Sequence, residues 1–221
     1  MNTTANLAQS IFIAGNMVCF AFLGYWFIKL KKPTFKLFGI SMTLLAVVEL
    51  CVFGVNMLWN LPILDFKSLQ YLVYLYAILM LFATSSSALR SKTSYYINIF
   101  LAFAAILVTG LFFFERTLNN ATAYTINYYL SFDNAATLNI FSLTVALSLG
   151  MAALVIGQNI KNKTSKLIFE SSFLVITISL VLNLIIYNDT ARLVASIVQV
   201  LALLGICLYI YKNPKAFKSS K

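Results

Sequence analysis

Seven apolar runs, each about 20 residues long, follow one another along the chain, at about 9–29, 37–59, 69–89, 94–114, 137–157, 167–187 and 191–211. A helix of that length crosses the roughly 30 Å hydrocarbon core of a bilayer. Inside hydrocarbon, backbone N–H and C=O groups find no water, and a helix satisfies them within one segment. The runs therefore predict an all-α integral membrane fold. It is a seven-transmembrane-helix bundle that fills residues 1–221 as a single domain. Apolar residues make up 61% and charged residues 10%, against roughly 25% charged in soluble chains, so little chain is left for a soluble domain. Residues 1–8 show neither the basic leading segment nor the small-residue cleavage site of a signal peptide, and the first run is expected to be a retained helix. Pro33, Pro62 and Pro214 fall outside the runs, so no proline kink is expected.

The segments between the runs set the orientation. Thirteen of the sixteen basic residues fall around the first, third and fifth connections and the tail, among them Lys29, Lys31, Lys32, Lys36, Arg90, Lys92, Lys161, Lys163, Lys166 and Lys212. The other side carries only Lys67, Arg116 and Arg192, with Asp65, Glu115, Asp133 and Asp189. The positive-inside rule places the first side in the cytoplasm, with the N-terminus outside and the C-terminus cytoplasmic. Trp59, Tyr71 and Tyr187 then mark the outer boundary, and Trp26, Tyr95, Tyr96, Tyr209 and Tyr211 the inner one, as interfacial anchors. The longest connection, Glu115 to Ala136, is polar, rich in tyrosine and on the outside. A plasma or inner membrane location follows as the expectation.

Several functions are excluded by what the runs and loops contain. The net charge of +10 sits in short loops rather than a groove or stripe, which points to anionic lipid and not to nucleic acid. No histidine is present, so zinc–histidine sites, histidine-ligated haem and Ser-His-Asp triads are absent. Cys19, Cys51 and Cys207 lie within apolar runs and read as packed thiols. No metal site or cofactor is expected. No nucleophile, base and orienting group come together, so the chain is not expected to be an enzyme.

Polar residues inside the runs are the candidate site. Glu49 lies near the middle of the second run, where an acid costs about 2.5–3.5 kcal/mol on insertion scales. It persists there when protonated, hydrogen-bonded or facing a wet cavity. Counting depth from the outer face puts Asn16 of the first run and Gln199 of the seventh in the same layer, with Asn183 and Asn56 nearer the surface. The five residues form a candidate substrate or ion path, with a structural hydrogen-bond knot around a neutral Glu49 as the alternative. Glu170 lies one turn inside the sixth run, within reach of Lys166 as an interfacial pair. Thr84, Ser85, Ser86 and Ser87 are expected to bond back to carbonyls of their own helix. Ala146, Gly150, Ala153 and Gly157 form a small-residue face suited to close helix packing.

A stretch from Lys31 to Leu50 returns at Lys161 to Leu180, with seven identities in twenty positions at an offset of 130. Both copies are cytoplasmic turns leading into a helix. They suggest a 3+1+3 parallel repeat, residues 9–90 and 137–212, linked by the helix at 94–114. That layout resembles the sugar-transporting and PQ-loop membrane proteins, and the resemblance implies a site between two three-helix sets. Their proline–glutamine signature is absent here. Gly15-Asn16-Met17-Val18 and Leu45-Ala46-Val47-Val48-Glu49 resemble the first- and second-helix motifs of rhodopsin-like receptors. The outer cysteine of the third helix, the tryptophan of the fourth and the aspartate–arginine–tyrosine triplet are missing. Residues 191–211 also lack the lysine that a microbial rhodopsin needs for retinal.

The expectation is thus a small-solute or cation transporter or facilitator with a polar site near mid-membrane. Its partners are the lipid bilayer and a small-molecule or cation ligand. The alternatives are a sensor or receptor-like subunit that signals through a membrane protein partner, or a structural or assembly subunit.

Overall fold

The computed structural model describes residues 3–57, 66–89, 91–117, 135–185 and 189–217, with side-chain surroundings given over a narrower set. Within them lie α1 (Thr3–Ile28), α2 (Pro33–Met57), α3 (Phe66–Ser86), α4 (Ser91–Thr117), α5 (Ala135–Gln158), α6 (Lys163–Ile185), α7 (Asp189–Lys212) and a 3-10 turn, Pro214–Phe217. No strand occurs among the described residues. Among the described residues, four helices are long and apolar enough to cross a membrane, over Ile11–Ile28, Pro33–Cys51, Lys163–Leu182 and Leu193–Lys212. Most of the connection expected on the outside, residues 118–134, and the expected anchors Trp59, Tyr71 and Tyr187 fall outside the described side chains.

The helix ends have local causes. Pro33 is the first residue of α2 rather than lying before it. Its fixed φ suits a helix start, and its missing N–H would be unpaired there anyway. Asn162 caps α6, its Oδ1 accepting from Thr164 N at 3.0 Å and Ser165 N at 3.1 Å. Asn213 Nδ2 donates to Tyr209 O at 3.2 Å, and Pro214 ends α7 because it cannot continue the helix. The hydroxyls at the end of α3 bond back as expected. Thr84 reaches Met80 O at 2.8 Å, Ser85 reaches Leu81 O at 2.9 Å, Ser86 reaches Ala83 O at 2.9 Å and Ser87 reaches Thr84 O at 2.6 Å. Lys166 Nζ and Glu170 Oε1 pair at 3.8 Å.

Six helices close into a ring in the order α1, α2, α3, α5, α6, α7 and back to α1, while α4 stands outside against α3. The outward faces of the ring are apolar. Ile11, Val18 and Tyr25 on α1 and Leu201, Leu204, Leu208 and Tyr211 on α7 are all exposed. Each set recurs at helical spacing and so forms one stripe. Exposed apolar stripes of this extent suit hydrocarbon rather than water.

Small residues bring neighbouring helices together. An ideal Cβ on Gly39 of α2 would fall 2.6 Å from Ile28 N and 2.9 Å from Gly24 O of α1. On α5, Ala146 and Ala153 are buried, Gly150 faces Thr177 and Gly157 faces Glu170, both of α6. The small-residue face of α5 is thus spent on packing within the chain.

Aromatic rings fill the lysine-rich end. Phe27, Phe35, Phe38, Phe169, Phe173 and Phe217 are all at most 2% exposed. Phe38 lies across the ring interior from α6, its centroid 6.1 Å from Phe169 and 5.5 Å from Phe173. Tyr209, expected as an interfacial anchor, turns inward instead. Its OH lies 2.9 Å from Ser165 Oγ and its ring 6.2 Å from Phe217. The turn Pro214–Phe217 supplies the aromatic surface that draws it in. Lys32 Nζ donates to Asn159 Oδ1 at 3.2 Å, tying the α1–α2 connection to the α5–α6 connection.

Candidate binding site between the helices

α1 neighbours both α2 and α7, so three candidate residues sit on adjoining helices. Their angular positions follow from a helix advancing about 100° per residue. Asn16 lies two residues before Val18, on the side of α1 roughly opposite the apolar stripe. Gln199 stands in the same relation to Leu201 on α7 and is 5% exposed. Glu49 likewise faces away from the stripe of α2 that carries Ile40 and Leu50. All three therefore point into the ring.

Asn16 Nδ2 donates to Glu49 Oε1 at 3.4 Å, a long hydrogen bond that joins α1 to α2. The other end of the same amide, Asn16 Oδ1, is buried and has no hydrogen-bond partner. Glu49 is partly exposed. Along α2, Glu49 lies about 24 Å from Pro33 and about 12 Å from Met57 at 1.5 Å per residue. It is therefore nearer the end remote from the lysines than the run boundaries suggested, because α2 starts four residues earlier and ends two residues earlier. Phe38, in the aromatic end, is about 16 Å further down the same helix.

Gln199 is brought close but not bonded. A Cβ on Gly15 would meet Val200 Cγ1 at 3.2 Å, so α1 and α7 touch at this level. Among the described residues no hydrogen bond joins Gln199 to Asn16 or Glu49. The side chains of Asn56 and Asn183 fall outside those described. One member was not singled out from the sequence: Tyr74 of α3, partly buried and within electrostatic reach of Glu49. The third run carries three tyrosines, Tyr71, Tyr74 and Tyr76, and position along the run does not select among them.

No protein-family model, curated protein or solved structure matches this chain. The chemistry must be read from the geometry. A carboxyl, an amide with a free acceptor, a phenol and a buried glutamine are carried by the adjoining helices α1, α2, α3 and α7. Cys19 and Cys207 pack below it, with Cys207 Sγ 3.7 Å from Cys19 O. Among the described residues no three His, Cys, Asp or Glu side chains converge.

Proposed function

We propose that this chain is a multi-pass transporter or facilitator of a small solute or cation. It crosses a plasma or inner membrane seven times, with its N-terminus outside and its C-terminus cytoplasmic. The observation that carries transport is the Asn16–Glu49 pair, turned into the helical ring with Asn16 Oδ1 buried there and unpaired. An acid placed only for folding would be sealed by its partners, whereas this pair leaves Asn16 Oδ1 without one.

Two further features support a two-part architecture. α2 and α6 begin at Pro33 and Lys163, 163 − 33 = 130 residues apart, which is the offset of the sequence repeat. The ring order is also unchanged when α1, α2 and α3 are exchanged with α5, α6 and α7. Parallel repeats of this kind carry a site between them in other transporters.

Flux into proteoliposomes is the test. Glu49→Gln keeps the shape and the hydrogen bonding but cannot ionise. It is expected to fold, insert and lose at least tenfold in uptake of the cation or solute that wild type carries. Glu49→Leu should also lower stability by roughly 1–3 kcal/mol, because the Asn16 amide is left unpaired. Full uptake by the Gln variant would reduce Glu49 to a structural hydrogen-bond acceptor.

One observation favours a second reading, a partner-dependent subunit. α4 stands outside the ring, with Tyr96, Phe100 and Phe103 each more than 60% exposed. Recovery of a stoichiometric membrane partner that is lost on substituting Phe100 and Phe103 would support it.

A further inference from the structure

We propose that the Asn16–Glu49 site binds one monovalent metal cation, held between the Glu49 carboxylate and Asn16 Oδ1. The inference rests on the transport site described above and names the class of ion it takes.

The unpaired groups are acceptors. Glu49 offers carboxylate oxygens, and Asn16 Oδ1 is buried without a donor. α1 has no basic residue, and Lys36, the basic residue of α2, is 13 positions from Glu49. Neither of these two helices therefore brings a basic side chain to the acceptors. Tyr74 of α3 is the titratable side chain in electrostatic reach, and Cys19 of α1 lies a turn below Asn16.

Distances allow a shared ion. Asn16 Nδ2 is 3.4 Å from Glu49 Oε1, and bond lengths put Oδ1 about 2.2 Å from Nδ2. The two oxygens are then at most about 5.6 Å apart. A hard cation takes oxygen ligands at about 2.3–2.6 Å, so it bridges oxygens about 5 Å apart or closer. Turning the amide about its own axis brings Oδ1 toward Glu49 in place of Nδ2.

Charge sets the valence. Glu49 is the acid at this level, and Glu170, the other acid whose side-chain surroundings are described, pairs with Lys166. A monovalent ion leaves the site neutral. A divalent ion would leave a net positive charge in a low-dielectric surround, where uncompensated charge is expensive, and sites for such ions gather more oxygen and carboxylate ligands.

Purified full-length protein in detergent or nanodiscs, kept in choline buffer at one fixed pH, tests this by thermal unfolding. Sodium, lithium and potassium chlorides are titrated against choline chloride at constant ionic strength. At least one alkali cation is expected to raise the midpoint saturably, by about 5–10 °C at a hundredfold excess over its Kd. Equilibrium binding of radioactive sodium to wild type, displaced by the unlabelled alkali ions, reads the same site without any variant. Asn16→Ala should weaken binding at least tenfold, and Glu49→Gln should abolish it. The proposal is overturned by no saturable binding of any alkali ion, by equal binding in both variants, or by calcium or magnesium binding more tightly than every monovalent ion. Binding without flux would remove the transport function and leave the site standing. Flux without binding would do the reverse.

Discussion

Replacing Gly39 with alanine is expected to force α1 and α2 apart. The added Cβ would lie 2.6 Å from Ile28 N and 2.9 Å from Gly24 O, whereas ordinary contact begins at 3.4 Å. Both obstacles include helix backbone, which cannot swing aside as a side chain does. Relief needs a separation of about 0.8 Å along the crossing, and a gap of that size forfeits a quarter to a half of each dispersion well. Between apolar helices in lipid, packing is the main attraction, because the tails are as apolar as leucine. Overpacking of this kind costs about 1–3 kcal/mol. With the obstacles in backbone, the upper half of that range is expected, a fall of about 4–12 °C in midpoint for a chain of this size. Gly157→Ala is the control. Its Cβ would meet the side chain of Glu170, with Cγ at 2.6 Å and Cδ at 2.8 Å. That side chain is flexible and can turn away, losing at most the Lys166 pair, so the cost should stay below about 1 kcal/mol. Thermal unfolding of the two variants in the same lipid decides the matter. Equal midpoints, or a larger loss in Gly157→Ala, would refute the reasoning.

Phe38→Ala removes a fully buried ring that touches Phe27, Phe169 and Phe173. It should cost about 3–5 kcal/mol, measured by unfolding. Cysteine labels in a cysteine-free background should react from outside at Ser68 and Tyr124, and only from inside at Lys163 and Ser219. Labelling of Lys163 from outside intact cells would reverse the proposed orientation.

Features that depend on nearby residues were legible in the sequence. A run of about 20 apolar residues becomes a helix because its backbone bonds close within the segment. The same locality covers the back-bonding of Thr84 to Ser87, the Lys166–Glu170 pair and the burial of Cys19, Cys51 and Cys207, since each partner lies within about a turn or the residue is simply apolar. Counting depth along two helices was enough to put Asn16 and Glu49 in one layer. Asn162 was also readable as a cap, sitting just before the apolar run of α6.

The order of residues alone shows that the chain is helical, roughly where its helices fall, and that Asn16 and Glu49 share a level. Azimuth was left to the tertiary structure. Helices that are apolar all round have no polar face to show which side meets a neighbour, and the bundle interior is as apolar as lipid. Only packing could bring Tyr74 within electrostatic reach of Glu49. Packing alone could leave Gln199 beside the pair but unbonded, and set Gly39 against Gly24. Contact between α2 and α6 through Phe38, Phe169 and Phe173 likewise joins residues more than 130 positions apart. No local preference encodes such a pairing, because it follows from the order in which the helices close their ring.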